Sequence, residues 1–531
     1  MIDIANIESY DALVENFSWD LPERFNIAHA VCGRHAVAWA DWPAIITSHE
    51  DGTQSTITYA ELQAGVERVA TGLLALGVER GDRVAVLLDQ GVPAIESFLA
   101  AIHVGAIGVP IPPAFAPDAV AYRLRDSGAK VLITDVPSPV YEEAAGHVVI
   151  CDERGAFPDV VVTERPPCVD TSRDDPAIIF YTSGSTGYPK GVVHAQRLLL
   201  GHIPGFQLMF DLGPEKGDVF WTPSVWAWQG SLGDLVLPSL YFGFPVVATP
   251  GRYTSERAYR VLEETGITRA FLATAVLRRL ANEPPADKPK TALRAICTGG
   301  DPLPDGFREI VLDLFGVNVN DDYGLTETSH IAAGCSKLYD TPEKAVGRIM
   351  PGRTVAIVDE ELNPLPRGEV GQIVSSADDP ITMLGYWGKP EATAERLVDG
   401  WCLTNDRGVI DEDGYLWYRG RMGLTMKVSG QVIGPEEIEA ALRIHPAVAD
   451  VCVFAEPHAV KGECPTAVIE LVDGWKGNRE LSGELSRIAK AHLARFAYPR
   501  RVLFQTIPRN SSGKIDRAET RAAYREDIVA D

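Results

Sequence analysis

The chain has no paired cysteines. Its eight cysteines (Cys32, Cys151, Cys168, Cys297, Cys335, Cys402, Cys452 and Cys464) are scattered singly, without a Cys-x-x-Cys pair or a His/Cys group at zinc spacing. That excludes a disulfide framework and a zinc module, and leaves reduced, buried thiols. Positive charge is also scarce: 49 basic residues face 73 acidic ones, a formal net charge of -24. A generalised attraction to nucleic acid or to an anionic membrane is therefore disfavoured, and any anionic ligand must be met by local cations. The start, Met1-Ile2-Asp3-Ile4-Ala5-Asn6, lacks the basic and apolar blocks of a signal peptide, which makes the cytoplasm the expected compartment. Long apolar runs are missing too. The most apolar window, between Phe98 and Phe115, contains His103 and ends in Pro110, Pro112 and Pro113, so no membrane span is expected but rather a buried helix and strand. Internal repeats and low-complexity segments are absent.

What remains is an ordinary globular composition at unusual length: 531 residues, 46% hydrophobic and 23% charged. Such a chain exceeds one core and divides into two or more domains. From about residue 55 to 320, helical patterns alternate with short apolar runs such as Val84-Ala85-Val86-Leu87-Leu88, Val131-Leu132-Ile133, Ala177-Ile178-Ile179-Phe180 and Pro245-Val246-Val247-Ala248. This rhythm predicts parallel sheets flanked by helices. Between about 345 and 420 short strands and turns take over, including Val355-Ala356-Ile357-Val358 and the run Glu369 to Val374 after Pro366-Arg367-Gly368. Beyond Arg421 come a short strand, a helix opening at Pro435-Glu436-Glu437, the apolar run Val451-Cys452-Val453-Phe454 and a helix near 481 to 495. The expected fold is α/β: a large N-terminal domain (1–421) with helix-flanked sheets and a β-rich subdomain, plus a small α+β C-terminal domain (422–531).

The segment with the most chemistry follows the strand ending at Phe180: Tyr181-Thr182-Ser183-Gly184-Ser185-Thr186-Gly187-Tyr188-Pro189-Lys190-Gly191. Small hydroxyl and glycine residues let backbone N–H groups approach a phosphate chain, and Lys190 adds a point charge. The order differs from the Gly-x-x-x-x-Gly-Lys-Ser/Thr loop. A flexible connector is the alternative, but a linker has no use for the Pro-Lys-Gly ending.

This segment closely resembles the phosphate loop of the adenylate-forming superfamily of acyl-CoA synthetases, peptide-synthetase adenylation domains and luciferases. The family's other motifs follow in order: Asp322-Tyr323-Gly324-Leu325-Thr326-Glu327-Thr328, Thr404-Asn405-Asp406, Gly420-Arg421, and Pro508-Arg509-Asn510-Ser511-Ser512-Gly513-Lys514. The resemblance runs from about residue 25 to 525 and is most similar to acetyl- and medium-chain acyl-CoA synthetases. It implies ATP, Mg²⁺ and coenzyme A as ligands and a small carboxylic acid as substrate. Thr182, Ser183, Gly184, Ser185, Thr186, Gly187 and Lys190 would cradle phosphates. Thr326 would touch the α-phosphate, and Glu327 would bind the metal. Gly300, Asp301 and Pro302 would border adenine; Asp322 and Tyr323 would line the nucleotide site. Asp406 would accept from the ribose hydroxyls, with Arg421 as a nearby donor. Trp228, Gly299 and Gly324 would line the acid pocket, and Lys514 would stabilise charge at the α-phosphate. His194 and His330 show no acidic partner in sequence and are expected to be structural or pocket-lining.

Read singly, Thr-Glu-Thr is also a turn or helix start, Asp406 a turn residue, Lys514 a solvated lysine and the tryptophans core filling. Departures from the family pattern concern the second half-reaction. Met422-Gly423-Leu424 stands where a paired-aspartate or similar polar hinge is usual, with Gly423 at the hinge position; Val432 stands where arginine is common; and Asn405 replaces a glycine. Acceptors other than coenzyme A therefore stay open: a carrier-protein thiol, or an amine in nitrite-activating chemistry. A non-catalytic nucleotide-binding protein is disfavoured by retention of Glu327, Asp406, Arg421 and Lys514.

Overall fold

The computed structural model describes residues 7–152, 154–182, 189–304, 306–422, 424, 426–428, 431–458, 462–493, 498–509 and 515–529. Among them, strands form three sheets of seven, fourteen and five strands. No helix of the described residues is long and apolar enough to cross a membrane.

In the seven-stranded sheet, Pro176–Thr182, Ile107–Pro110, Arg83–Leu87, Val131–Thr134 and His147–Ile150 run parallel in that spatial order. The central members read as unbroken apolar runs because helices cover both faces. Two antiparallel strands, Lys190–Ala195 and Gly385–Tyr386, close one edge. The window from Phe98 to Phe115 contains the end of the buried helix Val92–His103 and the strand Ile107–Pro110.

The fourteen-stranded sheet is parallel from Pro43–Ser48 through Val246–Ala248, Phe220–Trp221, Arg269–Phe271 and Ala295–Gly299 to Val319–Leu325. There it changes character. Val319–Leu325 turns back on Ser329–Ala333, and the antiparallel strands Gly347–Ile349, Tyr415–Arg421, Trp401–Ile410, Gly371–Ser376 and Val355–Val358 follow. The β-rich region is thus hydrogen-bonded onto the parallel strands as one continuous sheet. The three-residue turn at the switch is Thr326-Glu327-Thr328.

The last sheet changes over between Arg421 and Met426. Gln431–Ile433, Met426–Val428, Gly462–Leu471 and Val448–His458 pair antiparallel, with Arg501–Phe504 parallel beside Gly462–Leu471. Pro435 opens the helix Pro435–Leu442, and Asn478 caps Arg479–His492 by accepting from the Leu481 amide at 2.8 Å. These helices bury Ile438, Leu442, Leu481 and Leu485 against Met426, Val428, Val451 and Ile469, a core separate from those of the larger sheets.

Candidate active site

Thr182 and Lys190 are opposite one another in antiparallel register, with Thr182 Oγ1 donating to the Lys190 carbonyl at 3.5 Å. The phosphate-loop sequence therefore joins two antiparallel strands. Ser183, Gly184, Ser185, Thr186 and Gly187 themselves lie outside the described residues. Lys190 directs its ammonium over the Tyr386 ring, 5.1 Å from the centroid.

Two contacts tie this hairpin to the turn of the other sheet. His194, on the Lys190–Ala195 strand, lies with Nε2 at 2.8 Å from the Thr326 carbonyl oxygen, which fixes Nε2 as the protonated nitrogen. Burial pushes its pKa down to about 3, so the ring is neutral. Tyr386 donates to Glu327 Oε1 at 2.5 Å, and Arg396, closing helix Pro390–Arg396, pairs with the same oxygen at 3.1 Å. Burial pushes the Glu327 carboxyl upward, but Arg396 and the Tyr386 hydroxyl outweigh it and the net shift is downward. Glu327 is thus a buried, ionised carboxylate.

Gly324 explains the shape of the turn. A methyl group built there would come within 2.1 Å of the Ser329 carbonyl oxygen, at a register shift between Tyr323 and Gly324. Only glycine allows that backbone approach.

The polar groups expected around a nucleoside come together from three strands of the fourteen-stranded sheet. Tyr323 donates to Asp406 Oδ2 at 2.8 Å, and Arg421, paired in register with Asp406, brings Nε to 3.8 Å of Oδ1. Burial raises the Asp406 pKa against both partners. The Asp406 amide donates to Thr404 Oγ1 at 3.0 Å, and that hydroxyl donates to the Ile373 carbonyl at 2.6 Å. Gly299 ends its strand opposite Asp322, whose Oδ1 is buried without a partner among the described residues. Gly300, Asp301 and Pro302 follow, exposed, with the Asp301 carbonyl accepting from Thr274 Oγ1 at 2.8 Å. Trp228 is half-buried and edge-on to Phe115 at 5.9 Å, whereas Trp221 is core.

Lys514 and Gly423 lie outside the described residues. On either side of the lysine segment, Arg509 and Ile515 form an antiparallel bridge, and Arg509 pairs with Asp450 and Glu470 at 3.0 Å each. Sequence reasoning missed Tyr386 and Arg396, which no local motif marks. It also missed an acidic partner for His330: Asp234 Oδ1 lies 3.7 Å from its Nδ1, and His202 is beside both. Asp234 within Leu232-Gly233-Asp234-Leu235-Val236 and His202 within Leu199-Leu200-Gly201-His202-Ile203 are lone polar residues in apolar helices, a signal that could have found them.

Gly299 and Asp322 to Leu325 lie at the carboxyl ends of parallel strands, at the point where the sheet turns antiparallel, and the protein is of the α/β class. The sequence matches the family model of the AMP-binding enzyme over residues 32–387 and that of the AMP-binding enzyme C-terminal domain over residues 437–514. It is 28% identical over 547 residues to the acetyl-coenzyme A synthetase of Bacillus subtilis (strain 168), covering 97% of this chain and 95% of the relative. It is 32% identical over 493 residues to the fatty acid–[acyl-carrier-protein] ligase ScoC of Streptomyces coeruleorubidus, covering 88% and 92%. Among solved structures, ATP-bound MatB from Rhodopseudomonas palustris superposes with a TM-score of 0.81 at 26% identity, covering 94% of this chain and 99% of that one. The chain belongs to the AMP-binding enzyme family of adenylate-forming enzymes.

Proposed function

We propose that this enzyme activates a carboxylic acid with ATP: the carboxylate oxygen attacks the α-phosphorus, pyrophosphate leaves, and a thiol then displaces AMP from the acyl-AMP to give a thioester. The observation that carries this reading is the double tie between the phosphate hairpin and the Thr326–Glu327 turn, through His194 to Thr326 and through Tyr386 to Glu327. It joins the strand that leaves the phosphate-loop sequence, and the strand paired with it, to a turn carrying a hydroxyl and a buried carboxylate.

The nucleophile is already ionised, so no base is needed and catalysis rests on alignment and charge stabilisation. Thr326 meets the α-phosphate, Asp406 accepts from the ribose hydroxyls, Arg421 stands beside it, Tyr323 orients the Asp406 carboxylate, and Gly300 to Pro302 border the base. Glu327 offers a buried, ionised carboxylate that suits Mg²⁺ shared with phosphates; the ion, when bound, would neutralise phosphate charge. Lys514 supplies a cation to the reacting carboxylate and α-phosphate. We assign residues 1–421 to the nucleotide- and acid-binding unit and 422–531 to a mobile unit, with Gly423 as the pivot that exchanges the lysine for a thiol site. A cytoplasmic site of action is in keeping with eight free thiols.

Coenzyme A is the acceptor best supported, by the acetyl-coenzyme A synthetase relative. A carrier-protein thiol is the second reading, favoured by the ScoC relative and by Met422 and Val432 at the second-step surface. Mass spectrometry of products from MgATP and a panel of acids, with and without coenzyme A, tests both. Acyl-CoA plus AMP establishes the first; acyl-AMP that persists with coenzyme A and is consumed by a phosphopantetheinyl carrier establishes the second. Lys514→Ala is expected to lower pyrophosphate release by about a hundred- to a thousandfold while keeping ATP affinity.

A further inference from the structure

Behind the Thr326–Glu327 turn lies a group of polar side chains that the chemistry above does not use. His202 comes from the buried helix Leu198–Met209, Asp234 from the helical turn Leu232–Val236, and His330 from the strand Ser329–Ala333 that leaves the turn. His202 Nδ1 is 3.0 Å from Asp234 Oδ1, His330 Nδ1 is 3.7 Å from the same oxygen, and the two imidazoles stand edge to face at 4.5 Å. Gln229 borders the group: a methyl built on Gly233 would lie 3.4 Å from both Gln229 Cγ and His202 Nε2. Gly205 leaves room for His330, whose Nε2 would otherwise lie 2.7 Å from a Cβ.

All three residues are buried, His202 completely. Yet among the described residues His202 Nε2, both ring nitrogens of His330 and Gln229 Oε1 have no hydrogen-bond partner, and Asp234 Oδ1 has only the 3.0 Å approach of His202 Nδ1. Buried polar atoms are almost always satisfied, so this many together mark a place that something else completes. Burial lowers both histidines to about 3, so each ring is neutral and offers one acceptor nitrogen. With the Asp234 carboxylate and the Gln229 carbonyl, acceptors dominate. An alkyl chain would leave them all unpaired, whereas a group carrying two or three N–H bonds is their complement.

We propose that this cluster recognises a substituent of the acid, and that the acid activated here carries an amino group, donated to Asp234 Oδ1 and to the acceptor nitrogens of His202 and His330. The inference rests on the acid-activation reading. The cluster's place fits it: His330 is three residues beyond Glu327, and Gln229 donates to Ser329 Oγ in the same hairpin.

The test compares pyrophosphate release by the full chain on acids paired for shape, aminobenzoates against the corresponding methylbenzoates and ω-amino alkanoates against alkanoates. The expected result is a kcat/KM at least about a hundredfold higher for an amino acid than for its methyl isostere. Asp234→Asn should lower kcat/KM for that amino acid at least about tenfold with KM for ATP unchanged, and Asp234→Leu should turn preference toward the methyl isostere. Methyl isosteres equal to or better than every amino partner would overturn the inference while leaving acid activation standing. Equal losses on both partners in the Asp234 variants would reduce the residue to a structural one and also overturn it. Stoichiometric zinc or another transition metal in the purified enzyme, lost in His202→Ala, would make these groups metal ligands and defeat it. No pyrophosphate from any acid would remove the activation reading, and this inference with it.

Discussion

His194 Nε2 and the carbonyl oxygen of Thr326 are 2.8 Å apart, a bond between residues 132 positions distant that joins the hairpin of one sheet to the turn of another. The ring is completely buried and neutral, so a variant without the donor leaves a carbonyl unpaired in a dry interface. His194→Phe is expected to lower kcat for pyrophosphate release by about ten- to a hundredfold, since losing such a bond costs about 1–3 kcal/mol. KM for ATP should change far less, because Asp406 and residues 300–302, proposed above to meet the nucleoside, are untouched. Steady-state kinetics with the melting temperature recorded alongside would check this; a kcat within twofold of wild type would show that Thr326 is held by the turn alone.

Asn405 holds φ at 60°, the left-handed conformation, at the irregularity in strand pairing that presents Asp406, and its carbonyl accepts from the Met422 amide at 2.8 Å. Asparagine is among the few side chains that adopt this conformation readily, which is why it substitutes for glycine here. Asn405→Gly should therefore be nearly neutral, whereas Asn405→Val should destabilise the large unit by about 1–2 kcal/mol and raise KM for ATP. Urea unfolding of both variants separates the backbone effect from any loss of the exposed amide.

The residues legible in the sequence were those whose chemistry needs neighbours in the chain. The expected phosphate cradle and the hydroxyl–carboxylate turn are each runs of consecutive residues, so Thr182 to Lys190 and Asp322 to Thr328 are marked by sequence alone. Tyr386 and Arg396 reach Glu327 only because Gly385–Tyr386 pairs with the far side of the phosphate hairpin, and pairing between remote strands leaves no local signature. The same reason hid the continuity of the fourteen-stranded sheet. A change from helix-spaced to closely spaced strands looks like a new subdomain in sequence, although hydrogen bonding carries straight across the Thr326–Thr328 turn. Asp234 and His202 were passed over because their apolar neighbours made the segments read as plain core.

Glu96 makes a pH prediction away from the site. It pairs with Arg68 at 2.7 Å, yet burial outweighs the guanidinium and pushes its pKa from 4.5 up to about 7. Folded protein thus holds a proton on Glu96 that unfolded chain releases above 4.5, so this group's contribution to stability is full below that pH and is lost as pH rises toward 7. Glu96→Gln removes the dependence. Relative to wild type, the variant should gain stability with rising pH across this window, by at most about 1.4 kcal/mol per pH unit. Denaturation at pH 5 and pH 8 reads the difference, and an unchanged or reversed gap would mean that the Arg68 pair controls the carboxyl.

Arg396 and Tyr386 both bind Glu327 Oε1, and they keep the carboxyl below its ordinary value despite burial. Removing the guanidinium should let burial prevail. In Arg396→Gln the Glu327 pKa rises, so the carboxylate proposed above to serve MgATP is lost as pH falls, in a range where wild type retains it. Expected is a kcat/KM for MgATP that falls more steeply between pH 8 and pH 6 in the variant, together with a higher Mg²⁺ concentration for half-maximal rate. Glu327→Gln should raise that Mg²⁺ requirement at every pH and show no such steepening, since its amide does not titrate. Pyrophosphate release measured against Mg²⁺ at several pH values distinguishes the two: parallel pH profiles for wild type and Arg396→Gln would show that Tyr386 suffices to hold the charge.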